Sequence, residues 1–286
     1  MQYLIYSGLA LIPLRVLYFF SLIGSFFLYY IARYRRSIVR ENLTNAFPDL
    51  SITEIKNIEK DFYKHLCRVA MEIVKAKHLP KSEFIDRVKI RNPELIKEVS
   101  ENYTRSVIVL TIHQGNWEWM LHGVSLAMGI PVDPVYKPLN NKPADDLAYA
   151  VRSRFGAKPL KAEESTKDII KRRKEFRLFA MVAEQSPSKK SRSIWLPFFN
   201  RVVPFYVGSE VIAKMTNFAV VFAQCHKKDI GYYEIEFLEI ARPPYDKSSD
   251  FITKEYVRLS ERAILNDPSS WLWSNRRWKH AKLKQD

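Results

Sequence analysis

Two cysteines in 286 residues cannot build a disulfide framework, and their surroundings do not suit a structural zinc either. Cys67 and Cys225 stand far apart and match no CxxC or Cys/His ligand spacing. A chain of this length fills a core without covalent staples, so both read as reduced packing residues. There is no HExxH motif to hold a protease zinc. Internal repeats, low-complexity tracts and long linkers are also missing, which leaves a single catalytic domain behind an N-terminal addition as the simplest division. Acidic side chains are in deficit, 31 Asp and Glu against 46 Lys and Arg, for a formal charge of +15. That excess points to a polyanionic partner: nucleic acid, anionic lipid or an acidic carrier protein. Disorder is excluded by a 47% apolar content, 13% of the residues being aromatic.

One long apolar run is present. Val16 to Ala32 carries no charge over seventeen residues, with Arg15 before it and Arg33, Arg35, Arg36 and Arg40 after it. The run nearly spans a bilayer core, and Arg15 can reach the headgroups, so a single membrane helix and a tilted anchor both fit. The arginines that follow favour a cytoplasmic location for everything downstream. Tyr29-Tyr30-Ile31-Ala32 is a poor cleavage site, which argues against a signal peptide. Residues 1–45 are therefore read as anchor and basic juxtamembrane segment, and 46–286 as the enzymatic domain.

Beyond the anchor, Ser51-Ile52-Thr53-Glu54 has the spacing of a capping box and opens an amphipathic pattern of about six turns through Ile55, Phe62, Leu66 and Ile73. From Ser106 the pattern changes. Ser106 to Ile112 is β-branched and uncharged, as in a strand covered on both faces. Further strands are expected at 132–136, 177–182, 219–225 and 233–238, and helices between them at 117–128, 144–155, 167–174 and 209–215. Strands alternating with helices predict an α/β fold with a mostly parallel sheet.

Directly after the most apolar strand comes His113-Gln114-Gly115-Asn116-Trp117-Glu118. An imidazole beyond the carboxyl end of a strand is well placed for proton transfer. His113 is expected to take the proton from an attacking hydroxyl. Glu118, in the first turn of the next helix, is expected to return to the other ring nitrogen and hold its tautomer. Asn116 suits a helix cap, and Gly115 lets backbone approach closely.

These motifs, with Arg40-Glu41-Asn42-Leu43, Ala46-Phe47-Pro48, Val135 to Asn141 with Arg152-Ser153-Arg154, Ala183-Glu184-Gln185-Ser186-Pro187, Pro197-Phe198-Phe199, Val203-Pro204-Phe205 and Trp271 to Lys279, give the chain a resemblance to the bacterial lipid A biosynthesis (late, Kdo-lipid A type) acyltransferases. The resemblance implies an inner-membrane enzyme with a glycerolipid-acyltransferase-like αβα sandwich, its catalytic domain on the cytoplasmic side. It implies acyl carrier protein as donor and a lipid A precursor as acceptor, with no metal or organic cofactor. It also implies a catalytic dyad on His113 and Glu118. Arg152 or Arg154 and Glu184 map to the family's other site positions, and Asn116 and Gln185 join them as substrate-binding candidates. Arginine recognises phosphate by bidentate hydrogen bonds, and both the acceptor and the carrier's phosphopantetheine bear phosphate. Two departures loosen the choice of acceptor: Glu184 where aspartate is common, and Asn275 where histidine is usual. Trp271, Trp273 and Trp278 among Arg276, Arg277, Lys279 and Lys282 suit either stacked single-stranded nucleic acid or a membrane interface, with one or two of the rings expected to pack in the core in either case. Given the anchor, an anionic membrane is expected and nucleic acid is not.

Overall fold

The computed structural model describes residues 2–187 and 192–283. Two helices, α1 (Gln2–Leu11) and α2 (Leu14–Phe26), open the chain; α2 passes through a π-helical turn (Phe27–Ile31) into α3 (Arg36–Ala46). The long α4 (Ile52–Lys75) starts at the expected capping box, with the Ser51 hydroxyl accepting from Glu54 N–H and the Glu54 carboxylate accepting from Ser51 N–H. Then follow α5 (Lys81–Arg87), β1 (Val88–Ile90), α6 (Glu94–Val99), β2 (Val107–Thr111), α7 (Trp117–Met128), β3 (Val132–Tyr136) and α8 (Lys142–Arg152). The second half holds β4 (Leu160–Lys161), α9 (Ser165–Lys171), β5 (Leu178–Val182), β6 (Ser193–Phe198), β7 (Arg201–Tyr206), α10 (Gly208–Thr216), β8 (Ala219–Asp229), β9 (Tyr232–Ala241), α11 (Phe251–Asn266) and β10 (Lys282–Leu283).

The main sheet has the order β1-β9-β8-β2-β5-β3-β4, and every neighbouring pair is parallel except β8 with β9. That exception is a hairpin turned at Gly231, whose φ of +73° is open to glycine at little cost. β2 is buried along its whole length because both faces are covered. Ile108, Leu110 and Ile112 enter one core with Phe179, Phe222 and the α11 residues Tyr256 and Ile264; Val107 and Val109 enter the other with Phe84, Trp119 and Val221. The result is the expected αβα sandwich. α10 and α11 lie on one face, and α5 and α7 on the other.

A smaller antiparallel sheet, β10-β7-β6, packs Phe198 and Phe205 under the C-terminal tryptophans. Trp271, Trp273 and Trp278 are all buried and stack among themselves, Trp273 on Trp278 at 6.2 Å between ring centroids. The packing expected of one or two of these rings holds for all three, and the membrane-interface role is corrected, because the β6–β7 hairpin supplies an aromatic floor that covers them. Cys67 and Cys225 are free and buried, as their isolation in sequence suggested.

The basic segment that follows the apolar run is tied to the body. Glu59 on α4, fully buried, receives Arg40 at 2.7 Å and Arg36 at 3.4 Å. Asn42 donates its side-chain amide to Trp273 O and Asn275 O, both at 2.7 Å.

Candidate active site

The adjacency of β2 and β5 fixes the centre of the site. These parallel strands pair Thr111 with Val182, and each chain emerges from the same edge two residues later at His113 and Glu184. His113 Nδ1 lies 2.7 Å from Glu184 Oε1, and the same oxygen accepts the His113 backbone N–H at 3.2 Å. Glu184 is 1% exposed and the His113 side chain 22%. With the Nδ1 proton directed at the carboxylate, Nε2 is left as the basic nitrogen. Burial pushes the Glu184 carboxyl up, but the His113 charge and hydrogen bond outweigh it and hold the group below the usual carboxylate range. Glu184 therefore stays ionised, ready to stabilise an imidazolium.

This pairing corrects the expectation that Glu118 returns to the ring. Glu118, in the first turn of α7, faces the end of α8, where both its oxygens accept from Arg152: Nε donates to Oε2 at 3.0 Å, and Nη2 donates to Oε1. Burial raises the Glu118 carboxyl, yet Arg152 brings it below its ordinary value. Two carboxylates thus flank His113 with different partners, Glu184 the ring and Glu118 the arginine. Arg152 keeps 17% of its side chain exposed and lies over the Tyr136 ring at the carboxyl end of β3.

Arg154 does not join them. Lying beyond the last residue of α8, it turns away, donates to the backbone oxygens of Ala76 and Leu79, and stacks on Phe155 at 4.7 Å. Of the two candidate arginines, only Arg152 reaches the Glu118 carboxylate. Gln185 is half-buried, its amide 3.3 Å from His113 Nδ1. Asn116 is corrected from a substrate contact to a support. It is fully buried; its Oδ1 caps α7 at Trp119 N–H (2.9 Å), and its Nδ2 donates to Glu72 Oε2 at 2.7 Å.

The loop carrying His113 is held on every side. Leu272 N–H donates to His113 O, Gly115 N–H to Ser270 O, and the Gln114 amide to Ala263 O and Asp267 O. Gly115 has φ +59°, and a Cβ there would meet Cys225 Sγ at 2.4 Å. Beneath it, α4 supplies two residues that the sequence did not single out. His65 bonds Gly115 O at 3.1 Å, and the buried Glu72 collects Asn116, the Tyr233 hydroxyl (2.7 Å) and the Tyr18 hydroxyl (2.9 Å). Burial raises the Glu72 carboxyl above its ordinary value, while these three donors act in the opposite sense. A glutamate and a histidine on the apolar stripe of an otherwise regular helix were the available signal.

Arg277, also read as a surface cation, is fully buried. Its guanidinium covers the Phe205 ring at 4.1 Å and donates to Pro204 O, while Nε and Nη1 have no partner among the described residues. Burial pulls it down to about 10, and the Glu184 charge acts against that. The site thus combines a charge-oriented imidazole with an arginine–carboxylate pair, at the edge where parallel α/β sheets bind ligands. The sequence profile of bacterial lipid A biosynthesis acyltransferases matches residues 2–280. No curated protein matches the chain.

Proposed function

The chain belongs to the bacterial lipid A biosynthesis acyltransferase family, and we propose that it moves a fatty acyl chain from an acyl carrier protein thioester to a hydroxyl of a lipid A precursor, on the cytoplasmic side of the inner membrane. The observation that carries this mechanism is the 2.7 Å contact between His113 Nδ1 and Glu184 Oε1, which leaves Nε2 for the acceptor.

In the proposed reaction Nε2 removes the hydroxyl proton as the oxygen attacks the thioester carbonyl. The imidazolium that forms is stabilised by Glu184. Collapse of the tetrahedral intermediate forms the ester and expels the carrier's thiolate, which takes the proton back from Nε2. The protein needs no nucleophile of its own, since the acceptor attacks directly. Arg152, held by Glu118 and partly exposed, is the cation for a phosphate of the acceptor or of phosphopantetheine. Gln185, beside the ring, is a polar contact for bound substrate.

The test is mass spectrometry of lipid A and other polar lipids from cells with and without the gene, with His113→Ala alongside. Loss of one acyl mass from lipid A in both the deletion and the variant is the expected result. Intact lipid A with loss of a different acylated lipid would keep the chemistry and replace the acceptor. Full acylation by His113→Ala would overturn the mechanism.

A further inference from the structure

Leu14–Ile31 is long and apolar enough to cross a bilayer, with a mean hydropathy of 1.6, yet it does not stand free of the body. Contacts step down α4 as the chain steps up α2. Lys75 Nζ donates to Ala10 O at 3.0 Å, the Tyr18 hydroxyl to Glu72, and Gly24 faces Cys67 Sγ; the Tyr29 ring meets Tyr63 at 5.4 Å, and Arg36 and Arg40 close on Glu59. The buried positions of α2, namely Leu14, Leu17, Ser21 and Ser25, form one helical stripe turned to this partner. The β8–β9 hairpin adds a further contact, for a Cβ on Gly231 would lie 2.1 Å from the Tyr18 hydroxyl oxygen.

From Glu59 to Lys75 this covers about 24 Å of α4, most of the thickness of a hydrocarbon core of about 30 Å. The same stretch of α4 carries exposed Lys60, Asp61 and Lys64. A spanning α2 would take these charges, and the turn of the β8–β9 hairpin, to the depth of the lipid tails. Charges at that depth are strongly disfavoured. The opposite face of the segment is an uninterrupted apolar ridge of Phe19, Ile23, Phe26, Phe27, Tyr30 and Ile31, with Phe19 61% and Ile31 62% exposed. Exposed Arg15 stands near one end of the ridge, and exposed Arg33 and Arg35 beyond the other.

We propose that Leu14–Ile31 does not span the membrane but lies in its surface plane, the apolar ridge sunk into the acyl boundary of an anionic leaflet and the flanking arginines on lipid phosphates. Resting on the acyl-transfer reading above, this arrangement gives the anchor a second purpose. α2 and α4 brace the His113 loop through Tyr18, Glu72 and Asn116, so the open side of the site is held at the height of the headgroups and a glycolipid hydroxyl reaches Nε2 without leaving the leaflet.

The experiment places one epitope ahead of Met1 and another after Asp286 of the full chain, and compares protease digestion in spheroplasts and in inverted inner-membrane vesicles, with acyl transfer measured on the same material. Both epitopes digested only in inverted vesicles is the expected result. Digestion of the N-terminal epitope in spheroplasts would overturn the proposal and leave acyl transfer standing. Both epitopes digested only in inverted vesicles, with no acyl transfer, would support in-plane docking and sink the catalytic reading. A second measurement uses Ile23→Glu, on the outward face, and flotation with phosphatidylethanolamine vesicles containing phosphatidylglycerol. Binding should fall at least tenfold with thermal unfolding unchanged, and replacing each flanking arginine by glutamine should weaken it by about fivefold. Unchanged flotation, or a water-soluble dimer that Ile23→Glu converts to monomer, would assign the ridge to another occupant and overturn the proposal.

Discussion

Removing Arg152 should strand a buried charge, and the structure indicates how large the effect is. Glu118 is 7% exposed in its side chain and Arg152 17%, so the pair is largely shielded from water and is not discounted as a surface bridge would be. Breaking a buried pair by deleting one partner costs about 3–5 kcal/mol; residual exposure of Arg152 puts Arg152→Met near the lower end, about 3 kcal/mol. In a protein of this size that lowers the Tm by roughly 6–10 °C, read by thermal unfolding in detergent micelles. The pH dependence carries the sharper test. In the wild type Arg152 depresses the Glu118 carboxyl, so the pair's stabilisation is present above the unfolded glutamate value of about 4.3 and is lost as pH falls through the lower folded value. Without Arg152, burial, which raises the carboxyl, is opposed only by the smaller effects of His122 and His113. The variant's deficit relative to wild type should then shrink as pH is lowered from 8 towards 5, where Glu118 can take up a proton. Arg152→Met/Glu118→Leu should recover most of the lost stability at pH 8. A deficit independent of pH, or a double variant as unstable as the single, would refute the reasoning.

Further outcomes follow from the supports of the site. Gly115→Ala meets both a left-handed backbone and the Cys225 sulfur, and should cost about 3 kcal/mol and most of the activity, measured by unfolding and by transfer assay. Arg154→Met should lower the Tm by a few degrees, with KM for both substrates within about twofold of wild type, because its partners are the Ala76 and Leu79 carbonyls. His65 and His122 are buried and pushed down to about 4, chiefly by desolvation. The unfolded chain protonates its histidines near 6.5, so unfolding free energy should fall as pH drops from about 6.5 towards 4, and His65→Gln/His122→Gln should flatten that limb.

Much of the fold was legible because it is written in local pattern. The Ser51 capping box, the apolar run of β2 and the span Trp117–Met128 needed only neighbouring residues to be read, and each element stands where it was expected. What local pattern could not carry was partnership. Glu118 is five residues from His113 and Glu184 is 71, yet the ring is held by the distant acid, because strand order places β5 beside β2. Arg152 and Arg154, two residues apart, part company at the last turn of α8. Arg277 and the three tryptophans looked amphipathic in sequence, and only the β6–β7 hairpin that covers them makes them interior. The apolar N-terminal run shows the same limit. Its apolarity was plain, but the stripe that meets α4 is visible only once the two helices are packed.

The most direct measurement of the account is kcat for Glu184→Gln beside Glu118→Gln, with acyl-thioester donor and lipid A precursor as acceptor. Glutamine keeps an acceptor near His113 Nδ1 but removes the charge that stabilises the imidazolium, worth about 4 kcal/mol for unit charges near 4 Å at an effective dielectric of 20. Some of that is recovered by the remaining hydrogen bond, so Glu184→Gln should lose about 10²–10³-fold in kcat with KM for the acceptor little changed. Glu118→Gln should act mainly through Arg152 and raise KM. A Glu184→Gln enzyme within threefold of wild-type kcat, with the large kcat loss falling on Glu118→Gln, would contradict the pairing of His113 with Glu184 as the base of this acyltransferase.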